Sequence, residues 1–340
     1  MYDHKLISKI APLVEVPDVE NIFLLRNSPL EYNKVLSYSP PQGMNVLFLR
    51  EIYKFIKAIR ICRTQSVDFV CGIFLRPHGL FAHWIGKMFK KPVIQIFIGN
   101  DVDFLVNHSR VFKKLLSSSF RIGVRGSRSL HRLNELIRDE KRFFLHHNVY
   151  SVQASSGGNQ TRRDIDVLCV ADFSRVKRID VFIDVVSRLR EVFPSIRAVM
   201  LGGGRRGPAY RRKIRRLGLE SNIKLEGQVE DVGSYMNRSR VFVLTSKAEG
   251  LPMSMVEAMS RRIPCVVPDV GDIGDIAVNT ENAFVVEPLN TSQFVTNIRS
   301  LLEDEVLAER IGEAALKTIQ NRDREFSLDY NTSVWEEILG

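Results

Sequence analysis

Between residues 163 and 290, short apolar runs alternate with longer stretches whose apolar residues recur every three or four positions. This alternation limits the fold more than any other feature of the chain. DVLCVAD (166–172), RAVMLGG (197–203), NIKLEG (222–227), RVFVLTS (240–246) and PCVVPDV (264–270) have the length of strands. After the first of them, Ile179, Phe182, Ile183, Val186 and Leu189 follow helical spacing, and AYRRKIRRLGL and SMVEAMSRR fill later intervals. Strand alternating with helix predicts a parallel sheet with helices on both faces. Ligands of such sheets bind beyond the carboxyl ends of the strands.

The first half repeats this logic less clearly. VDFVCGIFL (67–75) and PVIQIFIG (92–99) read as buried parallel strands separated by the helix HGLFAHWIGKMFK, and IYKFIKAIRICRTQ reads as a helix leading into them. NIFLLR and KVLSYS are further strand candidates, but no strand with a glycine-rich turn opens the chain. A length of 340 residues favours two cores. The polar stretch 150–164 divides them. The expectation is an α/β protein with two Rossmann-like domains: a first domain over 1–152, a linker over 153–162, and a second domain over 163–325. A C-terminal helix over 326–340 could cross back to the first domain.

Composition excludes several classes. Hydrophobic content of 44% and charged content of 26% suit a globular chain, and no apolar run approaches the ~18 residues of a membrane span. Asp3, Glu15 and Asp18 interrupt any secretory signal pattern. Cys62, Cys71, Cys169 and Cys265 form no CxxC pair and read as reduced core residues, so a cytoplasmic location is expected. Residues 1–150 carry 23 Lys+Arg against 12 Asp+Glu, whereas 151–340 carry 26 against 27. The basic half could face an anionic membrane surface or phosphates. No nucleic-acid module and no array of aromatics interleaved with cations accompanies it, so nucleic acid is not an expected partner.

The stretch TSKAEGLPMSMVEAMSRRIP (245–264) carries the chemistry. A strand ends, a loop presents Glu249, Gly250, Leu251 and Pro252, and a helix opens near Met253 and Ser254 and bears Glu257. Gly250 permits close backbone approach, and free amides at a helix start offer donors to a diphosphate. Glu257, one turn into the helix, could accept from ribose hydroxyls.

This run, S-x-x-E-G-L-P-x-S-x-x-E-A-M-S-x-x-I-P, resembles the hallmark of family 4 of the retaining glycosyltransferases, the group 1 enzymes, in which two glutamates are separated by seven residues. Similarity extends over roughly residues 66–330. GQVEDV (227–232), with Gln228 and Val229, is similar to the segment that contacts the nucleotide base. LGGGRRG (201–207), with Gly203, is similar to a glycine turn of the donor domain. DVGDIGDI (269–276) and NAFVVEP (282–288) resemble the run that closes the donor pocket. The resemblance implies the GT-B fold, two Rossmann-like domains facing a central cleft. It also implies an enzyme of polysaccharide biosynthesis that moves a sugar from a UDP- or GDP-linked donor to a glycan or lipid-linked acceptor.

Departure of a nucleoside diphosphate puts negative charge on the phosphate and positive charge on the sugar ring, so fixed cations must meet the leaving group. By resemblance Lys177 stands at the family's lysine position, while Asp172 occupies the position of its arginine. Arg175, on the same loop, is the substitute cation. Glu249 is placed near the reacting sugar. The family's His-Gly-x-Asp reads Ile98, Gly99, Asn100, Asp101, which leaves His78 as the substitute histidine. Asp101-x-Asp103 and Asp164-x-Asp166 have the spacing of a metal-binding pair but lie outside a donor loop, so neither a metal nor a cofactor is expected. In this family the first domain binds the acceptor. RVFKKLL and FRIGVRGSRSLHRL (110–133) mix cations with apolar residues there and could meet a lipid-linked acceptor, with the protein peripheral at the inner face of a membrane. A sugar-nucleotide epimerase, a phosphorylase and a catalytically degenerate relative remain alternatives.

Overall fold

A computed structural model describes residues 3–44, 46–150 and 163–340. The expected linker, 153–162, lies outside the described residues. The chain divides into two compact units, Met1–Tyr150 with Arg324–Gly340, and Ser151–Asp323.

The first unit opens with helix α1 (Asp3–Glu15), whose Leu6, Ile10 and Val14 are buried at helical spacing. Strands β1 (Ile22–Leu25) and β2 (Val35–Tyr38) pair in parallel as a separate two-stranded sheet. Helix α2 (Leu47–Thr64) leads to a four-stranded parallel sheet of β3 (Val70–Ile73), β4 (Val93–Ile96), β5 (Arg121–Val124) and β6 (Phe143–Leu145), in that order. Helices α3 (Leu80–Phe89), α4 (Asn100–Asn107), α5 (Ser109–Ser118) and α6 (Ser127–Ile137) make the crossovers. One expectation needs correction here. FRIGVRGSRSLHRL is not a single basic face, because its RIGV is the inner strand β5, with Ile122 and Val124 fully buried.

The chain returns to the first unit at its end. After the one-turn helix α13 (Asp323–Phe326), helix α14 (Leu328–Leu339) packs against α1, and Trp335 and Ile338 join Val16, Ile94, Ile96 and Phe144 in one core cluster. Asn331, 1% exposed, fixes this return: its Oδ1 accepts from the His147 amide and its Nδ2 donates to the Glu325 and Ser327 carbonyls. With this segment included, the first unit carries 24 Lys+Arg against 16 Asp+Glu and the second 25 against 23. The basic excess is therefore smaller than a division at residue 150 suggests.

The second unit holds β7 (Ile165–Val170), α7 (Ile179–Val192), β8 (Ala198–Leu201), α8 (Gly207–Arg216), β9 (Ile223–Gly227), the short helix α9 (Val232–Asn237), β10 (Ser239–Val243), α10 (Met253–Met259), β11 (Cys265–Pro268) and β12 (Phe284–Val286). Helices α11 (Thr291–Glu303) and α12 (Glu305–Asn321) follow. All six strands are parallel, in the order β9-β8-β7-β10-β11-β12. The chain winds outward from β7 to β9 and then restarts on the other side of β7 with β10. The order reverses between these two neighbours, and their carboxyl ends flank the crevice where doubly wound sheets take ligands. Cys169 and Cys265 are buried in this sheet. Cys62 is half-buried and Cys71 exposed, so not every cysteine is a core residue, and all four are unpaired.

Candidate active site

The loops that follow β7 and β10 are bound to each other at this reversal. Thr245, 2% exposed, donates through Oγ1 to the carbonyls of Lys177 (3.2 Å) and Arg178 (3.0 Å), and the Lys247 amide donates to the Val176 carbonyl at 2.7 Å. The stitched loops bring two distant side chains together. Lys177 Nζ donates to Glu249 Oε1 at 2.8 Å and to Oε2 at 2.7 Å. Ser246 Oγ donates to Glu249 Oε1 at 2.6 Å, so one oxygen is held from two sides. Glu249 is 6% exposed, and these charge-assisted bonds offset the cost of desolvating its carboxylate.

The backbone under Glu249 is fixed as well. Gly271, at φ +54°, lies so close that a Cβ there would sit 1.8 Å from the Glu249 carbonyl oxygen. Gly202, at φ +137°, brings the turn after β8 against the loop after β7 in the same way, with a Cβ 1.9 Å from the Ala171 carbonyl oxygen. Beside it Gly203 faces the Gln228 side chain, and its carbonyl accepts from the Phe173 amide at 2.9 Å. Gln228 is exposed and Val229 half-buried at the end of β9.

Burial changes along the 250–254 segment. Gly250, Leu251 and Pro252 are buried, whereas Met253 and Ser254 are half-buried. The Met255 amide turns back to the Pro252 carbonyl at 3.0 Å, and among the described residues no backbone group accepts from the amides of Met253 and Ser254. Leu251 and Pro252 thus lie inside the turn that precedes α10. Glu257 is half-buried on α10, and its carbonyl accepts from Ser260 and Arg261.

Asp172 Oδ1 accepts from the Ser174 amide at 2.9 Å and so organises its own loop. Arg175, three residues on, is exposed. His78 and Asp101 lie in the first unit. The Asp101 carboxylate accepts from the Leu75 amide (3.1 Å) and the Ile98 amide (3.3 Å), and burial pushes its carboxyl up. His78 Nε2 stands 3.2 Å from both Lys54 Nζ and Glu51 Oε2. Burial, aided by the Lys54 ammonium, holds the imidazole below its ordinary value. Set against Lys54 and Glu51 through Nε2, His78 links α2 to the turn after β3. Both candidate metal-binding pairs hold protein groups: Asp103 pairs with Arg132, Asp164 with Arg238, and Asp166 with Arg240.

Thr245, Ser246 and Gly271 are the site residues that periodicity does not reveal. Thr245 and Ser246 end the RVFVLTS run, where two hydroxyls closing a buried strand are the available signal.

Comparison with known proteins agrees with this architecture. Residues 156–318 match the family model described as glycosyl transferases group 1. The chain is 20% identical over 305 residues to N-acetyl-alpha-D-glucosaminyl L-malate synthase of Bacillus anthracis, covering 82% of this chain and 77% of that protein. It is 23% identical over 320 residues to an uncharacterized glycosyltransferase of Methanocaldococcus jannaschii, covering 91% and 84%. Among solved structures, Anabaena HepE in complex with UDP-glucose aligns with a TM-score of 0.79 at 16% identity, covering 99% of this chain and 95% of that one. The structural neighbours are GT-B glycosyltransferases, and the two Rossmann-like units have that fold. The family match lies within the second unit, and the similar solved structures share the fold.

Proposed function

We propose that the chain transfers a sugar from a UDP- or GDP-linked donor to a glycan or lipid-linked acceptor in polysaccharide biosynthesis, with retention and without a metal. The observation that carries this reading is the Lys177–Glu249 pair at the strand-order reversal between β7 and β10. A diphosphate placed beyond these strand ends meets the Lys177 ammonium and the amides of Met253 and Ser254. Arg175 can add a second charge from the same loop as Lys177. Together they stabilise the departing nucleoside diphosphate. Glu249, held by Ser246, faces the sugar as positive charge develops on its ring. Glu257 accepts from ribose, and Gln228 and Val229 border the base. Among the described residues no side chain stands out as a covalent nucleophile, which favours transfer on the face that the leaving group vacates. A UDP-glucose complex of the similar HepE supports the donor class.

A degenerate relative is the second reading, favoured by Asp172, which engages the Ser174 amide where the family places a cation. Nucleotide release from radiolabelled UDP- and GDP-sugars, with and without acceptor glycan, decides between them. Acceptor-dependent release that is lost in Glu249→Ala and Lys177→Ala is expected; no release with any donor would leave the degenerate reading. Epimer formation without acceptor would point to the epimerase alternative, and release that requires inorganic phosphate to the phosphorylase.

A further inference from the structure

Helix α2 is patterned the wrong way round for a helix packed on a sheet in water. Its inward side carries Lys54, 4% exposed, with Nζ donating to Glu51 Oε1 at 2.6 Å. Its first turn and outward side carry Leu47 at 67% exposed, Phe48 at 71%, Leu49 at 47% and Ile56 at 59%. Phe48, Ile52, Ile56 and Ile59 recur at steps of three and four and so share one stripe. Phe55, at the edge of this stripe, meets Phe81 at 4.8 Å and Trp84 at 6.3 Å between ring centroids. These contacts join α2 to α3, where Trp84 and Met88, one turn apart, are each 54% exposed. A contiguous apolar face on this scale calls for a partner.

The surrounding charge identifies the partner. Residues 46–91 contain nine Lys+Arg and two Asp+Glu. One of the two acids, Glu51, turns inward onto Lys54, while Arg60, Arg63, Lys87 and Lys90 are exposed. An apolar stripe bearing a tryptophan and rimmed by cations suits the boundary between headgroups and acyl chains of an anionic bilayer. A second copy of the chain fits less well, because it would bring two like-charged rims together. We propose that α2 and α3 dock the chain onto an anionic lipid surface, with Phe48, Ile56, Trp84 and Met88 entering the interface. This surface differs from residues 110–133, and the docking does not depend on the reaction proposed above.

Of the two tryptophans, Trp84 is exposed and Trp335 is 3% exposed, so a change in emission reports on α3. The full-length protein is titrated without nucleotide with vesicles of phosphatidylcholine and phosphatidylglycerol in equal parts, and with phosphatidylcholine alone. A blue shift and co-sedimentation are expected with the anionic vesicles, with at least about tenfold weaker binding to phosphatidylcholine. Phe48→Glu and Ile56→Glu each weaken anionic-vesicle binding by about tenfold or more while keeping the parent's Tm and nucleotide affinity. Trp84→Phe removes the shift but still sediments. Failure of the parent to sediment with either vesicle overturns the proposal, as does sedimentation unchanged by both glutamates. A parent dimer dispersed by Ile56→Glu would reassign the face to self-association. Vesicle binding without sugar transfer would count against the proposed reaction and leave the docking in place.

Discussion

Lys177 Nζ lies 2.8 and 2.7 Å from the two carboxylate oxygens of Glu249, although the residues are 72 positions apart in the chain. The bond joins the loop after β7 to the loop after β10 at the one place where the strand order reverses. Its worth is measurable without a substrate. A double-mutant cycle of Lys177→Met and Glu249→Gln, read by urea unfolding, is expected to give a coupling of about 0.5–3 kcal/mol. Lys177→Met alone is the more revealing single change, since it leaves a 6%-exposed carboxylate with Ser246 as its remaining side-chain donor. Strict additivity would show that the two side chains do not meet in solution. In the transfer assay, each of Lys177→Ala and Glu249→Ala is expected to lower kcat by about 10²-fold or more, in the range of a lost transition-state contact.

Gly271 supports Glu249 from behind. A Cβ at this position meets the Glu249 carbonyl oxygen at 1.8 Å and must also adopt φ +54°. Gly218, at φ +62°, has the same backbone requirement but only the Arg190 guanidinium nearby, at 3.8 Å. Gly218→Ala should therefore cost about 1 kcal/mol, for the left-handed backbone alone. Gly271→Ala should cost clearly more and also lower kcat, because relief of the overlap moves the Glu249 backbone. Equal losses of Tm for the two variants would show that the close approach is absent.

The sheet of the second unit is legible in the sequence because its strands are buried on both faces and its helices are amphipathic. The two signals do not blur there. Strand β5 is hidden for the opposite reason: RIGV is four residues long, sits between cations, and holds a glycine whose missing side chain is filled by the Phe144 ring. Helix α1 has a visible stripe in Leu6, Ile10 and Val14, but nothing local says that its cover is α14 from the far end of the chain. Helix α2 turns an apolar stripe outward and buries Lys54, so spacing alone assigns its core face to the wrong side. At the candidate site, Lys177 and Glu249 come from separate loops. Their meeting follows from strand order, a property that periodicity does not encode, and the family resemblance was needed to relate them.

The first unit should lose stability in mild acid. Burial, reinforced by Arg125, His147 and Lys9, holds the His146 imidazole well below its ordinary value of 6.5. An unfolded chain binds a proton there near pH 6.5 that the folded chain refuses. The stabilisation is therefore complete above pH 6.5 and falls as the pH drops below it, with a slope approaching about 1.4 kcal/mol per pH unit. His78, lowered mainly by its own burial, acts in the same direction. Burial raises the Asp180 carboxyl, but its bonds from Arg178 outweigh that and hold it below the ordinary carboxylate value, outside this window. Urea unfolding between pH 7.5 and 5.5 should show the slope, and His146→Gln should flatten it even where the variant is less stable throughout. A parallel pH dependence in parent and variant would remove His146 as the source.

Asp172 puts a carboxylate where the family resemblance implies a cation. Its carboxylate accepts from the Ser174 amide at 2.9 Å, so this residue shapes the loop, and the next cation along it is Arg175, exposed among the described residues. A side chain of that kind adds little to the unliganded fold, and Arg175→Ala should change stability by no more than about 0.5 kcal/mol. If it meets a bound diphosphate as proposed, the charge-assisted hydrogen bond is worth about 1.5–3 kcal/mol, and Kd for UDP or GDP should rise by roughly ten- to a hundredfold in Arg175→Ala. Asp172→Ala should behave in the reverse way. Loss of the turn bond costs about 1 kcal/mol of stability, while nucleotide affinity changes only as far as the loop loosens. Calorimetric titration of both variants separates the roles: if Arg175→Ala binds UDP and GDP as tightly as the parent, the loop after β7 contributes Lys177 alone, and the leaving group must draw its remaining charge from the amides that open α10.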